Sequence, residues 1–203
     1  MSTDANNIVG LYDRNADAWD IARGKSLFEA PWLDRFLSLV PLGGTILDIG
    51  CGSGEPIARH FAARGYRVTG VDSSENLIAL CRARMPDHDW HVADMRRLSL
   101  GRTFGGLIAW DSFFHLVYDD QRAMFPVFGA HAVPGAPLLF TSGPGHGEAM
   151  GTFEGEPLYH ASLDPEEYRS LLTANGFDVL AFKPEDPACG GHTVWLAQRA
   201  DRA

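Results

Sequence analysis

Short apolar runs bounded by glycine, proline or charged residues alternate along this chain with stretches whose apolar positions recur every three or four residues. Thr45 to Gly50 (TILDIG) is β-branched and closed by glycine, the pattern of a buried strand. Glu55 to Arg64 follows as a helix, with Pro56 in its first turn, Ile57 and Phe61 on one face and Gly65 as the stop. Arg67 to Asp72 reads as the next strand, and Ser74 to Met85 as a helix with Leu77, Leu80 and Cys81 at helical spacing. Trp90 to Ala93, Phe104 to Asp111 and Ala136 to Thr141 read as strands, with a helix over Asp119 to Val133 before the last of them. Asp164, Pro165 and Glu167 predict a capping box in which the Glu reaches back, and Tyr168, Leu171 and Leu172 form the buried face of the helix that ends at Asn175-Gly176. Phe177 to Phe182 and His192 to Gln198 close the chain as two strands with no helix between them.

Repeated strand–helix units predict an α/β fold, a Rossmann-like, doubly wound, mostly parallel sheet covered on both faces. The closing pair predicts a hairpin, hence one antiparallel strand near the C-terminus, at the sheet's end. No linker divides the 203 residues, so a single domain over 1–203 is expected, with 1–30 as a helical lid.

In such a fold, ligands bind beyond the carboxyl ends of the strands where strand order reverses. The first strand ends in Asp48-Ile49-Gly50-Cys51-Gly52-Ser53-Gly54, and the second in Asp72. Glycines allow a ligand to approach the backbone, and the acid, about twenty residues on, suits the two hydroxyls of a ribose. The spacing is G-x-G-x-G rather than the G-x-G-x-x-G of a pyrophosphate loop. Asp48 and Glu55 flank it, and carboxylates favour a sulfonium and an α-amino group over a pyrophosphate.

ILDIGCGSGEP (Ile46 to Pro56) closely resembles the first motif of class I S-adenosylmethionine-dependent methyltransferases. VTGVDSSENLIALCRARMP (Val68 to Pro86) is similar to their second motif, and HVADM (His91 to Met95) to their adenine-binding turn. GLIAWDSFFHL (Gly106 to Leu116) resembles the fourth-strand motif, and LYHASLDPEEYRSLLTANGFDVL (Leu158 to Leu180) the late helix–strand segment of small bacterial members. The resemblance implies S-adenosyl-L-methionine as cofactor. It implies that Gly50, Gly52 and Gly54 line the methionine and ribose portions, that Asp48 holds the amino group, and that Asp72, with Ser73 beside it, holds the ribose. Asp94 and the Met95 amide would meet the adenine, with Leu77 packed nearby; Asp111 and Ser112 would lie beside the methionine. Cys51 occupies a common family position as a small packed residue. A Y-D-x-x-A-x-x-W-D segment, with Tyr12 and Trp19 two helical turns apart, implies a lid from which Arg23 meets the methionine carboxylate.

The acceptor side carries no comparable signature. His115, after the fourth strand, is the candidate base, and Trp19, Trp110, His146 and His160 are candidate acceptor contacts; Gly143 to Pro157 reads as a mobile cover. The formal charge of −9 argues against a nucleic-acid partner, and no N/D-P-P-Y/F or Pro-Cys motif follows the fourth strand. A small neutral or cationic methyl acceptor is therefore expected, without a metal. The three cysteines form no close pair, no signal peptide opens the chain and no apolar run is long enough to span a membrane, which predicts a cytoplasmic protein. Two alternatives stand at this point: a nucleoside-cofactor-binding regulatory protein without catalysis, and an NAD-dependent oxidoreductase. The sequence leaves the oligomeric state open.

Overall fold

The computed structural model describes residues 3–201. Two helices, α1 (Thr3–Arg14) and α2 (Ala16–Arg23), precede α3 (Ala30–Leu37). The alternating body then runs β1 (Thr45–Ile49), α4 (Ile57–Ala63), β2 (Arg67–Asp72), α5 (Glu75–Arg84), β3 (Asp89–Val92), β4 (Gly106–Ala109), α6 (Tyr118–His131) and β5 (Pro137–Ser142). Strands β6 (Gly147–Phe153) and β7 (Glu156–Ser162) follow, then α7 (Pro165–Ala174), β8 (Phe177–Asp186) and β9 (His192–Arg199).

The main sheet has seven strands in the order β3-β2-β1-β4-β5-β9-β8. Strands β1 to β5 pair in parallel, whereas β9 is antiparallel to both of its neighbours. The antiparallel strand expected at the sheet's end is instead inserted between β5 and β8, so that β8 takes the edge. This insertion buries β9, whose central Val194-Trp195-Leu196-Ala197 run is apolar on both faces and fully covered.

Alternation within each strand divides the core. Leu47, Leu107, Leu138 and Trp195 face a layer with Phe113, Phe125, Phe128 and Tyr168. Their neighbours Ile46, Ile108, Leu139 and Leu196 face the opposite layer with Phe36, Phe61 and Ile78. That two-sided burial is why the strand segments read as continuous apolar runs rather than as alternating ones.

Helix α5 starts where the Ser74 hydroxyl accepts from the Leu77 N–H at 3.1 Å. At α7 Asp164 caps the Glu166 N–H, but Glu167 does not reach back; it takes the Arg122 guanidinium at 2.6 Å. Residues 143–157, expected as a loop, contribute β6 of an antiparallel hairpin that pairs Gly147 with Ser162 and Phe153 with Glu156. Ile8 and Leu11 of α1 pack against Tyr159 and Ala161 of β7, joining lid and hairpin.

Candidate functional site

Beyond Ile49 the chain turns at Gly50 with φ +77°, a left-handed conformation that a side chain would strain. A Cβ there would also stand 2.2 Å from the Cβ of Ser112. The Gly50 and Cys51 N–H groups both donate to the Val71 carbonyl, at 2.7 and 3.1 Å, folding the loop over the end of β2. Asp72 completes the turn by accepting the Gly52 and Ser74 N–H groups, each at 2.9 Å. Burial pushes its carboxyl up, against the pull of those N–H groups. Each oxygen keeps a lone pair for a further donor.

These elements form the floor of a cavity of about 400 Å³ at the carboxyl ends of β1, β2 and β4, the crevice where doubly wound sheets bind ligands. The structure brings Gly50, Gly52, Asp72, Ser73, Leu77, Asp94, Met95, Asp111, Ser112, Tyr12, Trp19 and His115 to its walls. Asp94 is engaged by the Arg96 backbone and guanidinium at 2.6–3.0 Å. Burial raises its carboxyl, but Arg96 outweighs this and holds it below the usual range. Asp48 lies beneath the loop, 3% exposed, and burial together with Asp72 pushes its carboxyl to about 7.

The roof is the N-terminal pair of helices. Helix breaks at Asn15, so Tyr12 and Trp19 belong to different helices; their rings still meet edge-on at 5.1 Å. Both acids of the Y-D…W-D segment fasten this roof. Asp13 accepts from the Ser74 hydroxyl (2.8 Å) and the Asn76 N–H (3.1 Å). Asp20 binds the Ser53 hydroxyl at 2.6 Å and both terminal nitrogens of Arg84 at 2.6 and 2.7 Å.

Other candidates fall elsewhere. Arg23 is committed to the fully buried Glu29 and does not line the cavity. Gly54 packs beneath the loop, where a Cβ would meet Met85 at 2.6 Å, and Cys51 has its thiol pushed well up by burial. Trp110 stacks on His192 at 5.7 Å, and His146 on Tyr118 at 4.7 Å. His160 lines a second cavity of about 330 Å³ beside the hairpin, with its ring 4.8 Å from that of His115.

His115 itself sits between an acceptor and a donor. Its Nδ1 lies 2.8 Å from the Tyr159 carbonyl, which can only accept, so Nδ1 carries the hydrogen. Its Nε2 then accepts the Tyr12 hydroxyl at 2.9 Å. Burial pushes the imidazole down to about 4, which makes this ring neutral at pH 7.

Residues 46–135 match the family model described as a methyltransferase domain. A Streptomyces venezuelae dTDP-3-amino-3,4,6-trideoxy-alpha-D-glucopyranose N,N-dimethyltransferase is 31% identical over 62% of this chain and 55% of its own length. A Streptomyces fradiae dTDP-3-amino-3,6-dideoxy-alpha-D-glucopyranose N,N-dimethyltransferase is 35% identical over 46% of this chain and 37% of its own. The chain thus spans about half or less of these relatives. The solved structure of CalS10 with S-adenosylmethionine, an amino pentose methyltransferase from Micromonospora echinaspora, superposes with a TM-score of 0.72 at 23% identity, covering 91% of this chain and 96% of that one. The chain has the fold of that methyltransferase.

Several residues around the cavity escaped the sequence reading. Val9 of the roof and Arg96 of the wall line the cavity, and Asp20 anchors the lid. The repeated acid of the Y-D…W-D segment was a usable signal for Asp13 and Asp20. His192 carried none: it reaches the site because β9 runs backwards, which brings its first residues beside the carboxyl end of β5. Among the described residues no group of three or more His, Cys, Asp or Glu is arranged to hold a metal ion, and no helix is long and apolar enough to cross a membrane.

Proposed function

We propose that this chain binds S-adenosylmethionine in the main cavity and transfers its methyl group to a small-molecule acceptor. The observation that carries the reading is the Asp72 carboxylate at the tip of β2, pinned by the Gly52 and Ser74 N–H groups against a glycine loop. That arrangement fits a ribose, with Val71, Ala93 and Met95 as an apolar slot for the adenine and Asp48, buried below the loop and outside the cavity wall, as the counter-charge to the α-ammonium. The cofactor supplies an electrophilic methyl on a sulfonium. The protein's part is then to align the acceptor and exclude water.

Tyr12 and Trp19 give the cavity an aromatic wall on the acceptor side, and Phe153 packs against both rings, 6.1 Å between centroids in each case. Aromatic faces and the Asp111 carboxylate suit an acceptor bearing an amine or hydroxyl. Where a proton must leave a hydroxyl, Tyr12 can take it while passing its own to the Nε2 of neutral His115. The aminosugar substrates in the names of the Streptomyces relatives belong to the same chemical class. The net charge of −9 favours such a partner over nucleic acid, and the chain is read as a cytoplasmic single domain.

Calorimetry tests the cofactor. S-adenosylmethionine and S-adenosylhomocysteine should bind, and NAD and NADP should not. Asp72→Ala removes charge-assisted hydrogen bonds of about 1.5–3 kcal/mol each, so affinity should fall at least tenfold. Unchanged affinity refutes the ribose assignment; NAD binding in place of S-adenosylmethionine refutes the function.

A further inference from the structure

His192 and His115 flank the same carboxylate, yet their partners dictate opposite charges. The Nδ1 of His192 lies 2.8 Å from the Cys189 carbonyl, and its Nε2 lies 3.1 Å from an Asp111 carboxylate oxygen. Both partners only accept, so both ring nitrogens donate and the ring is an imidazolium. The nearby carboxylates favour that charge. Glu29, ahead of α3, is fully buried behind the ring with one carboxylate oxygen unpartnered. The Trp110 ring stacks on the imidazole at 5.7 Å, whereas the Asp186 carboxylate of β8 is occupied by the Trp32 indole and the Ala188 N–H. Arg23, the nearby cation, is consumed by Glu29 and stacks on Phe28. Asp111 raises the proton affinity of His192, against the opposing effect of burial.

Asp111 is held in an unusual way. Its backbone has φ +49°, rare for a residue with a side chain. Its N–H donates to the Thr141 hydroxyl at 2.9 Å, and the same hydroxyl donates back to Oδ1 at 3.2 Å. His192 holds the other oxygen. A carboxylate offers about four lone-pair sites; two are taken, and the side chain lines the main cavity at 20% exposure. Its negative field reaches Tyr12, His115 and His160.

We propose that the Asp111–His192 pair anchors an amino group of the methyl acceptor, with His192 as the positioning residue that fixes the Asp111 carboxylate. This rests on the methyltransferase reading of the cavity. The amine binds as the free base, donating an N–H to Asp111. As its lone pair forms the nitrogen–carbon bond, the carbon–sulfur pair leaves with sulfur and the positive charge passes from sulfur to nitrogen. Asp111 faces the nitrogen as that charge appears, which is where a fixed carboxylate is most effective. The resulting ammonium then sheds its proton to solvent. An alcohol gains much less from this arrangement, because it must lose a proton and ends neutral.

Two measurements test the pair separately from the cofactor. Nitrogen-resolved NMR of the ring should show His192 doubly protonated at pH 7, and Asp111→Asn should lower its pKa by one unit or more. A neutral His192 tautomer at pH 6, or a pKa unmoved by Asp111→Asn, overturns the positioning role. In the protein loaded with S-adenosylhomocysteine, cyclohexylammonium, which carries the positive nitrogen of the methylated product, should bind at least tenfold more tightly than isosteric cyclohexanol. Asp111→Asn should abolish that preference, and His192→Gln, which keeps one donor but no charge, should retain part of it. Equal binding of the two probes to the wild type overturns the amine anchor. Near-ultraviolet circular dichroism confirms that each variant is folded. Failure to bind S-adenosylhomocysteine refutes the methyltransferase reading instead, and leaves the His192 titration standing as its own result.

Discussion

A carboxyl group as buried as that of Asp48 is a liability for the fold, and its replacement should reveal this. Asp48 is 3% exposed, and burial, with the nearby Asp72 charge, raises it from 3.8 to about 7. At 1.36 kcal/mol per pKa unit, ionising it in the folded state costs at most about 4 kcal/mol. The sign follows from proton linkage: between the two pKa values the folded protein binds a proton that the unfolded chain has lost. Stability is therefore fully present below pH 4 and falls as pH rises through 7. Asp48→Asn keeps the shape and removes the charge. In urea unfolding without ligand, the variant should match the wild type below about pH 4, pull ahead as pH rises to 7, and exceed it at pH 8 by about 1–4 kcal/mol. Calorimetry at pH 8 should show the opposite for function, with S-adenosylhomocysteine affinity falling tenfold or more as the α-ammonium loses its counter-ion. A variant no more stable than wild type at pH 8, or one that binds the ligand as well, would refute the reasoning.

Other perturbations have equally defined outcomes. Because His115 is pushed from 6.5 down to about 4, turnover should be flat across neutral pH, rather than rising there as an ordinary imidazole base would predict. The same shift should cost the wild type up to about 3 kcal/mol of stability as pH falls from 6.5 through 4, a loss that His115→Gln should lack in pH-dependent unfolding. Gly50→Ala meets both a positive φ and a Ser112 contact at 2.2 Å, so chemical unfolding should show a loss of roughly 1–3 kcal/mol. Asp20→Ala cuts the lid from Arg84 and Ser53; S-adenosylhomocysteine should dissociate several-fold faster in stopped flow.

The β1–α4–β2 unit was legible because one stretch carries the apolar run, the turn glycines and the terminal acid together. The cavity wall at the ends of β1 and β2 followed from it, since those residues are local to strand ends. The hairpin was not legible. Its strand β6 has no fully buried residue, and Met150 is 53% exposed, so it shows neither alternation nor an apolar run. Helix α3 went unread although Leu33, Phe36 and Leu37 form its buried stripe, because its eight residues offer too little periodicity to stand out beside Pro31. Arg23 illustrates a different limit. Its position on the lid was read from the motif, but the buried Glu29 that captures it lies beyond the helix in a segment without pattern.

Charge in this site is set by what each group faces, and that information is tertiary. His115 and His192 are the same residue type, both beside Asp111, and neither lies in a motif that declares its protonation. A carbonyl and a phenol make one neutral; a carbonyl and a carboxylate make the other a cation. The difference arises from topology. His115 leaves the end of β4 toward the hairpin, while the reversed β9 delivers His192 to the opposite side of Asp111. A fully parallel sheet would place the start of its last strand at the far edge, and Asp111 would have no cation to hold it. The antiparallel insertion therefore does more than close the sheet. It brings to Asp111 the ring whose Nε2 holds the carboxylate, while the Nε2 of His115 takes the Tyr12 hydroxyl.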